Sequence, residues 1–147
     1  MVRRQFFRAW IVALALAGLG ACEQNSPVTP TVDDLAGEWA GTITDSMAGA
    51  GTIRLTIGQR GPGLSGTWAS TFADGSFNRS GSFSGTMIGS PFVLFLRPSL
   101  PIVCSPDETL TGTLAMTTRV DGDRITGSYT IFNCSGVITG TVEVTRQ

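Results

Sequence analysis

The sequence predicts an all-β domain folded as a single eight-stranded antiparallel up-and-down barrel, and three observations carry that expectation. Apolar and polar residues alternate with a period of two through much of the chain after Leu35, as half-buried strands require. Turn-forming clusters of Gly, Pro, Asn and Asp interrupt the alternation at short intervals. A five-residue pattern centred on Gly recurs within the alternating stretches. A β-sandwich is the alternative architecture for the same strands.

Taken in order, the breaks fall at Arg60-Gly61-Pro62-Gly63, Asp74-Gly75, Gly89-Ser90-Pro91, Pro98 to Pro106, Asp121-Gly122-Asp123 and Asn133 to Gly136. They delimit strands near 36–46, 51–59, 64–72, 77–88, 92–97, 109–119, 124–132 and 136–146. Thr52 to Gln59 shows the period best, with Ile53, Leu55 and Ile57 on one face and Thr52, Arg54 and Thr56 on the other. The run Phe92-Val93-Leu94-Phe95-Leu96 lacks alternation, which fits a strand covered on both faces or an exposed apolar edge.

The recurring pattern reads Leu64-Ser65-Gly66-Thr67-Trp68, Phe83-Ser84-Gly85-Thr86-Met87, Leu110-Thr111-Gly112-Thr113-Leu114, Ile125-Thr126-Gly127-Ser128-Tyr129 and Ile138-Thr139-Gly140-Thr141-Val142, with Leu35-Ala36-Gly37-Glu38-Trp39 as a looser copy. In each, Gly shares a face with the flanking apolar residues. Inward Gly suits strands that bend sharply or approach their neighbours closely, as those of a small closed barrel do. Unequal spacing between copies excludes a fixed-period solenoid or propeller. Closure removes the edges that an open meander would expose.

The N-terminus has the parts of an export signal: Arg3, Arg4 and Arg8, an apolar run from Ala9 to Leu19, then small residues. The run falls short of the roughly 20 apolar residues that cross a bilayer as a helix. Leu19-Gly20-Ala21-Cys22 resembles the lipobox of bacterial lipoproteins, which implies diacylglyceryl transfer to Cys22 and cleavage before it. Acyl chains at about 0.8 kcal/mol per buried CH₂ would then hold the chain to a membrane. Glu23, in place of the Asp that retains such proteins in the inner membrane, points to the outer membrane. Residues 1–21 are thus expected to be a signal peptide, 22–34 a polar tether extended by Pro27 and Pro30, and 35–147 the barrel.

In an oxidising envelope Cys104 and Cys134 are expected to pair, closing a 31-residue loop worth roughly 3 to 4 kcal/mol. No metal site is expected from two thiols in a chain without His. From residue 22 on, seven Arg stand against eleven acids, a formal charge of −4, and there is no Lys. That balance argues against a nucleic-acid partner and against a polybasic grip on anionic lipid.

Gly37-Glu38-Trp39 on the first strand and Arg146 on the last, at the inward parity of Val142 and Val144, resemble the calycin signature of lipocalins and avidins. The resemblance implies that Arg146 packs on Trp39 and closes one end of the barrel, a pairing of cation and indole face. Leu64-Ser65-Gly66-Thr67-Trp68 with Ser70 is also similar to an avidin motif whose aromatic and Ser line the ligand site. No Trp follows Trp68 and no late-strand Asp matches the one that holds the biotin ureido group, so the resemblance does not extend to biotin. Ile43, Asp45, Trp68, Ser70 and Tyr129 are the candidate ligand-binding residues. Core packing with a mouth-facing Asp is the structural alternative for them.

No enzyme and no cofactor are expected. His and Lys are absent and both remaining thiols are assigned to a disulfide, so the usual bases and nucleophiles are missing. Glycosidase chemistry needs only paired carboxylates, but Asp33-Asp34, Asp107-Glu108 and Asp121/Asp123 fall in the tether or in turns. Two functions remain: a barrel that holds a small apolar or amphipathic molecule, or a filled barrel acting as an envelope interaction or inhibitor module. One version of the second resembles bacterial metalloprotease inhibitors, which plug the protease with an N-terminal segment, and a lipidated Cys22 argues against that version. An apolar cavity above about 300 Å³ favours the first, and a barrel filled by Trp39, Ile53, Leu55, Trp68 and Leu114 favours the second.

Overall fold

The computed structural model describes the backbone of residues 34–105, 108–110, 112–133 and 136–147, and the side chains of 34–101, 112–132 and 136–147. The expected signal peptide, Cys22, the tether as far as Asp33, Cys134 and the side chain of Cys104 lie outside these residues. The strands are β1 (Gly37–Asp45), β2 (Gly49–Arg60), β3 (Gly63–Phe72), β4 (Arg79–Thr86), β5 (Phe92–Pro98), β6 (Ile102–Ser105), β7 (Glu108–Leu110), β8 (Leu114–Asp121), β9 (Arg124–Asn133) and β10 (Gly136–Arg146). A 3-10 turn at Gly75–Phe77, capped by the Asp74 carboxylate accepting from Ser76 N, joins β3 to β4.

Eight strands close into an antiparallel barrel in the order β1-β10-β9-β8-β5-β4-β3-β2. β1 bonds to β2 on one side and to β10 on the other, from Trp39↔Arg146 to Asp45↔Gly140. Closure leaves no sheet edge at β1 and removes the sandwich alternative. β6 and β7 form a separate two-stranded ribbon between β5 and β8.

Two expectations need correction. The strand expected at 109–119 is two: β7 ends at Leu110, and the barrel resumes with β8 at Leu114. Gly112 therefore belongs to no strand, and a Cβ on it would meet open space. The expected strand at 77–88 is shorter, because Gly75–Phe77 closes a 3-10 turn first. The Phe92–Leu96 run does alternate in space. Phe92, Leu94 and Leu96 are buried, while Val93 and Phe95 stand on the outer face of a strand paired on both sides.

Gly66, Gly85, Gly127 and Gly140 do face inward, and each leaves room for a neighbouring strand's side chain: Phe83, Leu94, Met116 and Tyr129 respectively. Large residues thus seat over glycines, a device that lets a narrow barrel curve.

Strand polarity defines two ends. The base carries the start of β1 and the end of β10; the mouth carries Asp45, Phe72, Arg79, Pro98, Leu114, the end of β9 and the start of β10. At the base, Trp39 is fully buried beneath Leu35, and Trp39 Nε1 donates to Leu35 O at 2.9 Å. Leu35 N donates in turn to Gln59 Oε1 at 2.7 Å. The Arg146 guanidinium lies 4.5 Å from the Trp39 ring centroid, on the same face expected from strand parity. Its Nη1 and Nη2 donate to Ala36 O and Asp34 O at 2.7 and 2.6 Å, and its Nε to Asp123 Oδ1 at 3.0 Å.

Candidate ligand-binding site

The barrel interior is apolar because alternation sends every second residue inward, but it is not filled evenly. Trp39, Leu55 and Val144 pack the base half. Toward the mouth the packing opens into a cavity of about 140 Å³. This is less than the 300 Å³ expected of a ligand barrel, yet the interior is not solid. Of the residues expected to fill it, Ile53, Trp68 and Leu114 line the cavity instead.

All five sequence-nominated residues converge there: Ile43 and Asp45 from β1, Trp68 and Ser70 from β3, Tyr129 from β9. Tyr129 donates its hydroxyl to Asp45 Oδ2 at 2.6 Å, joining strands 84 residues apart in sequence. Asp45 Oδ1 accepts from Met47 N at 2.8 Å and Ala48 N at 2.9 Å, so the same carboxylate pins the β1–β2 turn. Trp68 Nε1 donates to Ser82 O at 3.2 Å, and Ser70 Oγ lies 3.4 Å from Arg79 O, to which it donates. Trp68, Ser70 and Tyr129 are each buried.

Burial holds the Tyr129 hydroxyl well above its ordinary pKa, because the phenolate would lose its hydration. Donation to Asp45 and the carboxylate's charge push it further in the same direction. Gly140 makes this arrangement possible. A Cβ at that position would overlap the hydroxyl end of the Tyr129 ring.

Sequence reasoning missed several wall residues. Phe72, Met116 and Ile138 have inward parity in predicted strands, so the signal was present; parity gives a residue's face but not its height in the barrel. Phe77 and Arg79 enter from the 3-10 turn and its exit. Arg79 spends Nη1 on the turn carbonyls of Ser76 and Asn78, at 2.7 and 2.8 Å. A larger opening, about 690 Å³, is a shallow groove on the outer face walled by hydroxyls such as Thr44, Thr117, Ser128 and Thr141.

Among the described residues, the paired carboxylates do not line the cavity. Asp121 and Asp123 flank the β8–β9 turn at the base, where Asp123 engages Arg146. Asp34 caps its own segment by accepting from Ala36 N. Asp33 and Asp107 lie outside the described residues, as does the side chain of Glu108. Among the described residues Asp45 is the one carboxylate on the cavity wall.

No protein-family model matches the chain, and no curated protein matches it. A solved structure of a redesigned β-barrel does. It shares 18% identity with this chain at a TM-score of 0.50, covering 77% of this chain and 91% of its own. The likeness is one of fold.

Proposed function

We propose that this chain is a lipid-anchored protein of the bacterial envelope, calycin-like in architecture, whose barrel holds a small apolar or amphipathic molecule at its mouth without acting on it. One observation carries the binding reading. Trp68, Ser70, Asp45 and Tyr129 converge on a single apolar cavity and supply it with a few fixed polar groups, the usual composition of a small-molecule site. The Arg146–Trp39 stack supports the calycin-like reading, and Leu19-Gly20-Ala21-Cys22 supports the anchor. The tether's last described residue, Asp34, sits at the base, so the mouth lies at the opposite end of the barrel from the chain's entry.

Native mass spectrometry of the Cys22→Ser chain tests the binding reading: a copurifying small molecule supports it, and a bare polypeptide that also takes up no added ligand sinks it. The same substitution should release the chain from membranes; unchanged membrane association would overturn the anchor. A second reading, docking to an envelope protein, is favoured by apolar side chains exposed at the mouth: Met47, Leu100, Phe132 and Val137.

A further inference from the structure

Resting on the ligand-binding reading, we infer that the mouth cavity is built for a one-ring aromatic molecule carrying a neutral hydroxyl or amino group, and that it favours this class over carboxylates and excludes long acyl chains. The first argument is size. A cavity of about 140 Å³ is close to the roughly 150 Å³ apolar cavity that accepts benzene, and far below the roughly 300 Å³ at which drug-sized sites begin. A fatty-acyl chain does not fit such a volume. The wall also suits an aromatic ring, since Trp68, Phe72, Phe77 and Tyr129 all contribute to it.

The second argument is an inventory of donors and acceptors. The Trp68 N–H is committed to Ser82 O, the Ser70 O–H to Arg79 O and the Tyr129 O–H to Asp45. Arg79 turns Nη1 to the carbonyls of Ser76 and Asn78. Arg79 retains Nη2 and Nε as donors, and the other groups retain acceptor capacity: the lone pairs of Tyr129 Oη, Ser70 Oγ and Asp45 Oδ2. A ligand that brings a proton meets these three fixed acceptors. A phenol or an aniline does so. A carboxylate brings only acceptors, so it leaves those three atoms unpaired and sets its charge against Asp45, with Arg79 alone to hold it.

The third argument concerns pre-organisation. Asp45 is held by two backbone N–H groups, and Gly140 leaves the space in which the Tyr129 hydroxyl reaches it, so the acceptors stand in place before a ligand arrives.

The test is calorimetric titration of the full chain with phenol, benzene, benzoate and 1-decanol, repeated on Tyr129→Phe and Ser70→Ala. Phenol is expected to bind about tenfold more tightly than benzene, the worth of one net hydrogen bond, with benzoate weaker than phenol and decanol undetectable. In one or both variants the phenol preference should fall to within about twofold while benzene binding persists, which also shows that the variant is folded. Equal phenol and benzene affinities, an unchanged preference in both variants, or stronger binding of benzoate or decanol would overturn the ligand class but leave the binding reading standing. Failure of all four probes to bind would overturn both.

Discussion

The base and the mouth of this barrel are made from the same ingredients, an inward Trp, a charged partner and a short polar segment, but they are finished differently. At the base, Trp39 is buried to its last atom and its N–H is satisfied by Leu35 O. Arg146 covers the ring while holding two backbone carbonyls. At the mouth, Trp68 borders empty space, and Tyr129, Ser70 and Asp45 keep acceptor capacity that no described residue uses. Full packing and full satisfaction mark an end that holds the fold together. Incomplete packing around fixed polar groups marks an end open to something else.

The largest effect that could break this comparison comes from the two tryptophans. Trp39→Ala should cost about 3–5 kcal/mol, as deletion of a fully enclosed aromatic does, and should threaten folding outright. Trp68→Ala should cost less, because part of its surround is already cavity, and should enlarge the space that ligands probe. Denaturant midpoints for the two variants decide it; equal losses would make the mouth ordinary core.

Next come two glycines. A Cβ on Gly41 meets the backbone of β10 at Glu143 and Val144, which cannot yield without opening the closure. A Cβ on Gly140 meets the end of the Tyr129 side chain, which can swing away. Gly41→Ala should therefore cost about 3 kcal/mol, the upper end of overpacking penalties, and Gly140→Ala about 1. The smaller loss should come with a lost Tyr129–Asp45 bond and weakened ligand uptake. Near-ultraviolet circular dichroism and urea melts separate the two outcomes.

Much of this division is legible in the sequence, because both ends depend on strand parity. Period two placed Trp39 and Arg146 on one face, and put Ile43, Trp68, Ser70 and Tyr129 inside with them. Ladder membership was harder to read. Leu110-Thr111-Gly112-Thr113-Leu114 repeats the motif of true barrel strands, yet the barrel strand begins only at Leu114. Local alternation reports that a segment can be a strand, not which neighbour completes its hydrogen bonds. Phe92 to Leu96 misled for the opposite reason: outward Val93 and Phe95 are apolar, so a real alternation in burial left no trace in hydropathy. The cavity was the least legible feature. Its volume depends on how far each inward side chain reaches across the barrel, and on Phe77 arriving from a 3-10 turn rather than from a strand.

Arg146→Met keeps an apolar stem over Trp39 but removes the cation and its hydrogen bonds to Asp34 O and Ala36 O. The expected loss is about 2 kcal/mol, mostly from the ring contact and the two charge-assisted bonds. The exposed pair with Asp123 adds little. Hydrogen exchange should quicken around Leu35 and Trp39, whereas ligand uptake at the mouth should not change. A mouth that lost binding in this variant would mean that the two ends are not independent.

The smallest expected effect is a slope with pH, to which the mouth contributes through Tyr129. Tyr129 is the only tyrosine, and the chain has neither Lys nor His. Unfolded, its hydroxyl ionises near 10.0; folded, burial and Asp45 hold the proton to higher pH. Below pH 10 both states keep the proton and the stabilisation is fully present. Above pH 10 the unfolded chain binds fewer protons than the folded one, so stability must fall as pH rises, by at most about 1.4 kcal/mol per unit. Arginines stay charged throughout and contribute no slope of their own. Tyrosinate absorbance should stay low in the folded protein at pH 11 and appear on unfolding, and Tyr129→Phe should flatten the decline in denaturant midpoint between pH 10 and 11. A folded protein whose tyrosinate signal rises near pH 10 would mean that the hydroxyl meets water freely, and that the mouth lacks the pre-set acceptors on which its selectivity depends.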